Sequence, residues 1–521
     1  MTRVVVVGNG MVGARFVEDL LAADTAGRFT LTVLGAEPGE PYNRVLLSEV
    51  LAGRHELASL TLPTPVDPRL AVRRGSAATG LDRADRVVTT ADGTRHRYDL
   101  LVLATGASAR VPPLPGLVTG DRLTRGVHAL RGIDDAREIV ASTLNARRAV
   151  VLGAGVLGLE AAFGLAARGV PVTVVHPAPA LMERQLDGDA SRVVEEAMAA
   201  TGVDHRVGVG AEEAVVEDGA LRGLRLAGGE LLPADLLVVA TGTVANTTLA
   251  REAGLTTDRG VVVTDALASV DDRRVFAIGD CAQPPEGGTG LVAQGWEQSR
   301  RLAVELTGTP GTTAQPGPAS PATAPKSTTP ARGSDVVRLK SQGVDVVTMG
   351  VCGSQRPDDP DHRTLRLSDP RAGRHVEVVV SGGVLVGATC VGAGDVAVAL
   401  VSAYTRRTPV PLDPAHLLLP ALAGTVPALD PTPEQLPDTA TVCRCNGVSK
   451  GDITAHWELG CTDVEAVAAA TRATTGCGGC TDDVCGLLSW LERTSPPRQP
   501  GGEDRFTAGK HARHGVETGA S

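Results

Sequence analysis

One local design occurs twice in this chain. TRVVVVGNGMVGARFVEDLL, residues 2–21, is a β-branched run that stops at Gly8, Gly10 and Gly13 and continues into an amphipathic helical pattern. RRAVVLGAGVLGLEAAFGLAARGVPVTVVHP, residues 147–177, repeats it with Gly153, Gly155 and Gly158. A strand, a glycine turn and a helix in that order form a dinucleotide fingerprint. The first glycine permits the tight turn, the second lets a pyrophosphate approach the backbone, and the third lets helix and strand pack closely. The helix N-terminus then supplies N–H donors and partial positive charge. After the first unit, FTLTVLGAEP places Glu37 at the end of the next strand, where a carboxylate can bind ribose hydroxyls. After the second, the strand ends Val174, Val175, His176, with neither the acid of an NADH site nor a nearby arginine for a 2′-phosphate before Arg184. His176 either contacts the ribose or a phosphate, or caps the strand at the surface; the missing arginine favours NADH.

Two further segments share a design of their own. YDLLVLATGA carries Thr105 and Gly106, and ADLLVVATGT carries Thr241 and Gly242. Each is a buried-type strand ending in a small-residue turn, suited to a chain crossing between nucleotide domains. RRVFAIGDCAQ then ends a strand at Gly279 and Asp280.

At 521 residues the chain exceeds one ordinary hydrophobic core, so several domains are expected. A formal charge of −10 offers no basic face for a phosphate backbone, and nucleic acid is not an expected partner. No apolar run has membrane-spanning length and the start lacks a signal-peptide pattern, so the expected location is cytoplasmic, away from membranes. No cysteine precedes Cys281, and nothing suggests a disulfide-stapled scaffold. Lysines are scarce: Lys326, Lys340, Lys450 and Lys510 are the whole set, a bias from which no function is drawn.

The two fingerprints, the two ATG segments and the IGD of residues 278–280, in this order, resemble the flavoprotein reductases with two dinucleotide-binding domains. That resemblance implies FAD in the first unit, NAD(P)H in the second, and Asp280 near the flavin ribityl chain. It also implies a discontinuous FAD domain, residues 1–118 and 235–305, around a nicotinamide domain at 119–234. Disulfide reductases of the superfamily need a redox cysteine pair after the first nucleotide unit, and this chain has none there. Instead EPYNRVLLSEVLAG, residues 40–53, brings Arg44 and Ser48 where the family approaches the flavin. Reductases of oxygenase ferredoxins usually show a double proline and a lysine in this motif; here Val45, Leu46 and Glu49 stand at those places. The form resembles the flavoprotein portion of assimilatory nitrite and nitrate reductases. Arg44 is read as flavin-proximal, against a surface ion pair. Glu160, directly after the second fingerprint, matches a family position near the nicotinamide, against a helix-surface ion pair.

Near the end, TVCRCNGVSKGDI carries Cys443 and Cys445, and TTGCGGCTDD carries Cys477 and Cys480. Four soft thiolates suit iron–sulfur or zinc; a structural zinc site more often shows paired CxxC or CxxH knuckles. The pattern resembles the small [2Fe–2S] domain of bacterioferritin-associated ferredoxin. Cys461 and Cys485 are read as packed thiols.

The expected architecture is therefore α/β, with two Rossmann-like domains followed by a small α+β domain at 335–430 and a small helical [2Fe–2S] domain at 436–492. The segment 306–334, rich in Pro, Thr, Ala and Gly, reads as a flexible linker, and 495–521 as a disordered tail. LKSQGVDVVTMG, residues 339–350, resembles the segment that follows the flavoprotein unit in nitrite reductase large subunits. Such subunits continue into sirohaem and [4Fe–4S] domains; this sequence stops soon after Cys480. The expectation is an NAD(P)H-dependent electron-transfer subunit whose partner is a separate molybdenum nitrate reductase or sirohaem nitrite reductase. The alternatives are a ferredoxin reductase-like enzyme feeding another acceptor such as an oxygenase, and a redox- or iron-sensing module.

Overall fold

A computed structural model describes residues 1–308, 335–419 and 436–494, apart from 342, 355, 357, 444, 445 and 477–479. The expected linker beyond residue 308, the tail at 495–521, Cys445 and Cys477 lie outside the described residues. The chain divides into two compact units, Met1–Ala428 and Leu429–Ser521.

The larger unit contains two five-stranded parallel sheets. In the first, the order is Val275–Ala277, Leu100–Leu103, Thr2–Val7, Phe29–Leu34 and Leu70–Arg73. Both faces must be covered, so its strands are near-continuous Val and Leu runs rather than alternating ones. Phe16, Val17 and Leu20 of the fingerprint helix Met11–Ala23 and Leu302 and Ala303 of the helix Val292–Thr307 belong to the buried core of this sheet. The second sheet has the order Val127–Ala129, Leu236–Val239, Ala149–Leu152, Val172–His176 and Val203–Val207. Its fingerprint helix, Val156–Ala167, is buried along Gly158–Leu165.

One boundary needs correction. The expected boundary at residue 235 puts the strand Leu236–Val239 with the returning segment of the first domain, yet it lies in the second sheet, in parallel register with Ala149–Leu152. Each ATG segment closes the sheet of its own fingerprint, as Leu100–Leu103 does beside Thr2–Val7. An apolar LLVV run carries no mark of which of two similar sheets will receive it.

Residues 335–419 add the α+β element. An antiparallel sheet runs Val337–Leu339, Val346–Gly350, Val384–Val391, Arg374–Ser381, Arg363–Asp369, with the helix Gly394–Arg406 against it. That helix buries Val396, Ala397, Leu400, Val401 and Tyr404, the i, i+3/i+4 stripe of one covered face. Leu339, Val344, Val346 and Val391 share one buried core with Val151, Val172 and Val174 of the second parallel sheet, so the antiparallel sheet is packed on that domain.

Among the described residues the smaller unit has a hairpin, Thr441–Cys443 with Val448–Ser449, and three helices, Lys450–Glu458, Val464–Thr471 and Thr481–Thr494. Ser449 and Asp452 form a capping box on the first, and Asp463 caps the second. Its core is short: Cys443, Val448, Ile453, Trp457, Val467, Ala473, Cys480, Val484, Leu487, Leu488 and Leu491. A core this small is marginal by itself, and such domains usually take further stability from a metal or disulfides. Among the described residues no helix is long and apolar enough to cross a membrane.

Candidate functional site

The fingerprint glycines divide into two kinds. A Cβ at Gly8 would lie 2.1 Å from the Ala104 carbonyl oxygen, and one at Gly13 2.1 Å from that of Gly8. In the second unit the same contacts are 2.4 Å from Gly153 to Ala240 and 2.0 Å from Gly158 to Gly153. These four are required by the protein's own packing. Gly10 and Gly155 are not: a Cβ on Gly10 would meet only Arg44 Nε at 4.0 Å, and one on Gly155 nothing within 4 Å. Their bare backbone faces space at a helix N-terminus, the form of a pyrophosphate cradle.

The ATG segments meet. Ala107–Ala109 and Thr243–Ala245 pair as an antiparallel ribbon between the two sheets. Thr105 Oγ1 donates to the Asn246 carbonyl at 2.7 Å and Asn246 Nδ2 returns a bond to Thr105 O at 2.8 Å. Thr241 Oγ1 donates to Arg110 O at 2.6 Å. Gly106 and Gly242 both have positive φ, +65° and +99°, so each bends the chain into the ribbon at little cost.

Around the first cradle the polar side chains form a chain of contacts. Arg44 pairs with Glu37, lies over the Tyr42 ring at 4.7 Å, and donates to Arg131 O at 3.3 Å. Tyr42 Oη donates to Glu37 Oε2 at 3.0 Å and accepts from the Ile133 N–H at 3.0 Å. Burial pushes the Tyr42 phenol up to about 12, so it remains a donor at neutral pH. Arg131 in turn holds Asp280 at 2.7 Å and the Ala107 carbonyl at 2.8 Å. Gly279, with φ +73°, gives its N–H to Gln298 at 2.7 Å. The structure thus gathers Gly8, Gly10, Gly13, Glu37, Arg44 and Asp280 beyond the C-terminal ends of the strands of the first sheet.

At the second cradle, His176 Nδ1 accepts from the Ala154 N–H at 3.4 Å and Nε2 lies 2.9 Å from Glu183 Oε2. Glu160 stands at the junction of the domains, only 5% exposed. Its Oε2 accepts from Ser48 Oγ at 2.6 Å and its Oε1 from the Lys340 N–H at 3.0 Å. It is therefore no exposed helix-surface pair.

Sequence reading missed Tyr42, Arg131 and Lys340. The last two act on partners far along the chain, and no local pattern marks such a contact.

In the smaller unit Cys443 is fully buried and Cys480 is 6% exposed, both in its core. The Asn446 amide lies 3.7 Å from Cys443 Sγ and donates to Arg472 O at 2.6 Å, a donor aimed at a sulfur. Thiolates accepting such bonds suit an iron–sulfur cluster. Cys461 is half-buried against this core. Cys485, expected to be packed, is exposed: Val484, Leu487, Leu488 and Leu491 form the inward stripe of Thr481–Thr494 and leave position 485 outside it.

The profile of the pyridine nucleotide-disulphide oxidoreductase family matches residues 2–303. The chain belongs to this family. A BFD-like [2Fe–2S] binding domain matches residues 441–490. The chain is 33% identical to the nitrite reductase [NAD(P)H] of Bacillus subtilis (strain 168) over 486 residues, 92% of this chain and 56% of that protein. It is 31% identical to the assimilatory nitrate reductase electron transfer subunit of the same organism over 507 residues, 96% of this chain and 61% of the relative. The chain thus spans roughly half to three-fifths of these relatives' lengths. Among solved structures, a ferredoxin reductase from Rhodopseudomonas palustris superposes with TM-score 0.64 at 26% identity, covering 76% of this chain and 92% of that one. The protein is an oxidoreductase whose cofactors are FAD, NAD(P)H and a [2Fe–2S] cluster. Among the described residues the disulphide of the family name has no counterpart beside the first cradle. Cys281, the first cysteine, is fully buried, and its Sγ donates to Leu103 O and Ile278 O at 3.3 Å.

Proposed function

We propose that this chain is the NAD(P)H-oxidising electron-transfer subunit of an assimilatory nitrate or nitrite reductase, delivering electrons to a separate catalytic protein. The observation that carries this is the pairing of two open glycine cradles, free of redox cysteines, with a separate unit built around Cys443 and Cys480. When bound, FAD takes up a hydride as an electron pair and can release electrons singly, and a [2Fe–2S] cluster carries them one at a time. Gly10 and Gly155 leave room for the two pyrophosphates. Glu37 and Asp280 present carboxylates to ribose and ribityl hydroxyls, each oriented by an arginine, Arg44 and Arg131. Glu160 faces the nicotinamide at the domain junction. Cys443, Cys445, Cys477 and Cys480 hold the cluster.

NADH is the preferred donor. The Glu183 carboxylate bound to His176 places negative charge beside the end of the second strand, where a 2′-phosphate would have to sit.

The test is a reconstitution without air. The purified chain should carry FAD with two irons and two labile sulfides, and should drive nitrate or nitrite reduction by its catalytic partner with NADH at least about tenfold better than with NADPH, a difference near 1.4 kcal/mol. One zinc without sulfide would overturn the cluster assignment. Reduction of cytochrome c without any support of nitrate or nitrite reduction would overturn the assigned acceptor.

A further inference from the structure

Glu160 is a buried carboxylate, and such a group needs a cation and hydrogen bonds close by. The motif preceding it in space does not supply the cation. Where related reductases carry a lysine, this chain has Glu49, which is bound to Arg54 at 2.5 Å and adds like charge near Glu160. The compensating cation comes from outside both nucleotide-binding domains. Lys340 Nζ lies 3.6 Å from Glu160 Oε1, its backbone N–H donates to the same oxygen at 3.0 Å, and its ammonium also donates to the Val45 carbonyl. Its place is fixed by packing, because the preceding Leu339 is 4% exposed in the core shared with the nicotinamide domain.

We propose that Lys340 is a positioning residue for hydride transfer, through which the α+β domain anchors the Glu160 carboxylate at the junction of the two nucleotide-binding domains. This rests on the reading of Glu160 as the nicotinamide-facing acid. It gives residues 335–419 a role in the redox site: they complete a site that the nucleotide domains leave without its cation. The contact is geometrically specific. One residue binds a single carboxylate oxygen with its backbone and its ammonium, while Ser48 takes the other oxygen.

The electrostatics set a sign that a purely structural role would not show. Burial pushes Glu160 above the ordinary carboxylate range, Glu49 adds to this, and Lys340 and the Ser48 hydroxyl pull it back. Removing the ammonium raises Glu160 further. The ionised carboxylate is the working form, so the rate of flavin reduction is full above that value and falls as pH drops through it. The acid limb therefore moves to higher pH when Lys340 is neutralised.

The experiment is anaerobic stopped-flow reduction of FAD by NADH in the full chain, followed from about pH 5.5 to 8.5. K340M should reduce FAD on the order of tenfold more slowly at neutral pH, with its acid limb about one unit higher, and K340R should restore most of the rate. In the E160Q background, adding K340M should cause no further loss, because the two residues act as one unit. K340M with the wild-type rate and limb overturns the inference. So does a slower K340M whose limb does not move and whose effect adds to that of E160Q. Should K340M fail to fold or to hold FAD, K340Q is measured in the same way, and a wild-type acid limb in that variant is equally fatal. E160Q by itself tests the underlying reading: wild-type flavin reduction by that variant removes Glu160 from the nicotinamide site, and the role of Lys340 with it.

Discussion

Gly155 and Gly158 stand three positions apart in one turn and are glycines for different reasons. Gly158 is closed in by the Gly153 carbonyl, 2.0 Å from where its Cβ would be. Gly155 has extended backbone, φ −73° and ψ 178°, which any residue adopts, and open space beyond it. Gly158→Ala should therefore destabilise the nicotinamide domain by roughly 2 kcal/mol or more, seen as a lower Tm. Gly155→Val should leave Tm within about a degree of wild type while raising the KM for NADH tenfold or more, with FAD still bound. A Gly155→Val protein with unchanged KM would show that no pyrophosphate rests on that turn. Both glycines were legible in the sequence because the turn, the cradle and the helix contact all sit within six residues. Arg131 and Lys340 were not. Arg131 holds Asp280 and Lys340 holds Glu160 across long stretches of sequence, and a salt bridge leaves no periodicity for a reader to follow.

At the scale of the element, sequence shows what an element is more readily than where it belongs. The Val-rich strands and fingerprint helices were readable from their apolar runs and glycines. The strand Leu236–Val239 was readable as a strand, but its partner was decided by tertiary pairing with Ala149–Leu152. The helix Thr481–Thr494 shows the same limit at a finer level. GLLSWL reads as apolar, yet the inward stripe falls on Val484, Leu487, Leu488 and Leu491 and turns Cys485 out. These two cysteine environments predict opposite outcomes. Cys443→Ser should abolish cluster absorption and labile sulfide while NADH still reduces FAD at the wild-type rate, because the two sites draw on separate cores. Cys485→Ser should leave iron and sulfide content unchanged. Loss of the cluster in the second variant would bring position 485 into the ligand set and remove one of the four assigned cysteines.

For the molecule as a whole, what matters is which parts stand on a common core. The α+β domain shares buried residues with the domain of the second parallel sheet, so the two are expected to unfold together. The described core residues of the smaller unit all fall between Cys443 and Leu491, with none taken from the larger unit. Ending the chain after residue 435 should then cost the larger unit none of its described core residues. The truncated protein should bind FAD, keep the Tm of the larger unit, and oxidise NADH at the wild-type rate with ferricyanide, which takes electrons directly from flavin. It should fail to support NADH-driven nitrate or nitrite reduction by the partner, because the residues around Cys443 and Cys480 are gone. Ending the chain near residue 308 should behave differently. It removes Leu339, Val344, Val346 and Val391 from the shared core and Lys340 from Glu160, so both stability and flavin reduction should fall. Full partner activity in the 1–435 protein would take the cluster off the electron path, and a 1–308 protein as stable as the whole larger unit would separate the α+β domain from the nicotinamide core.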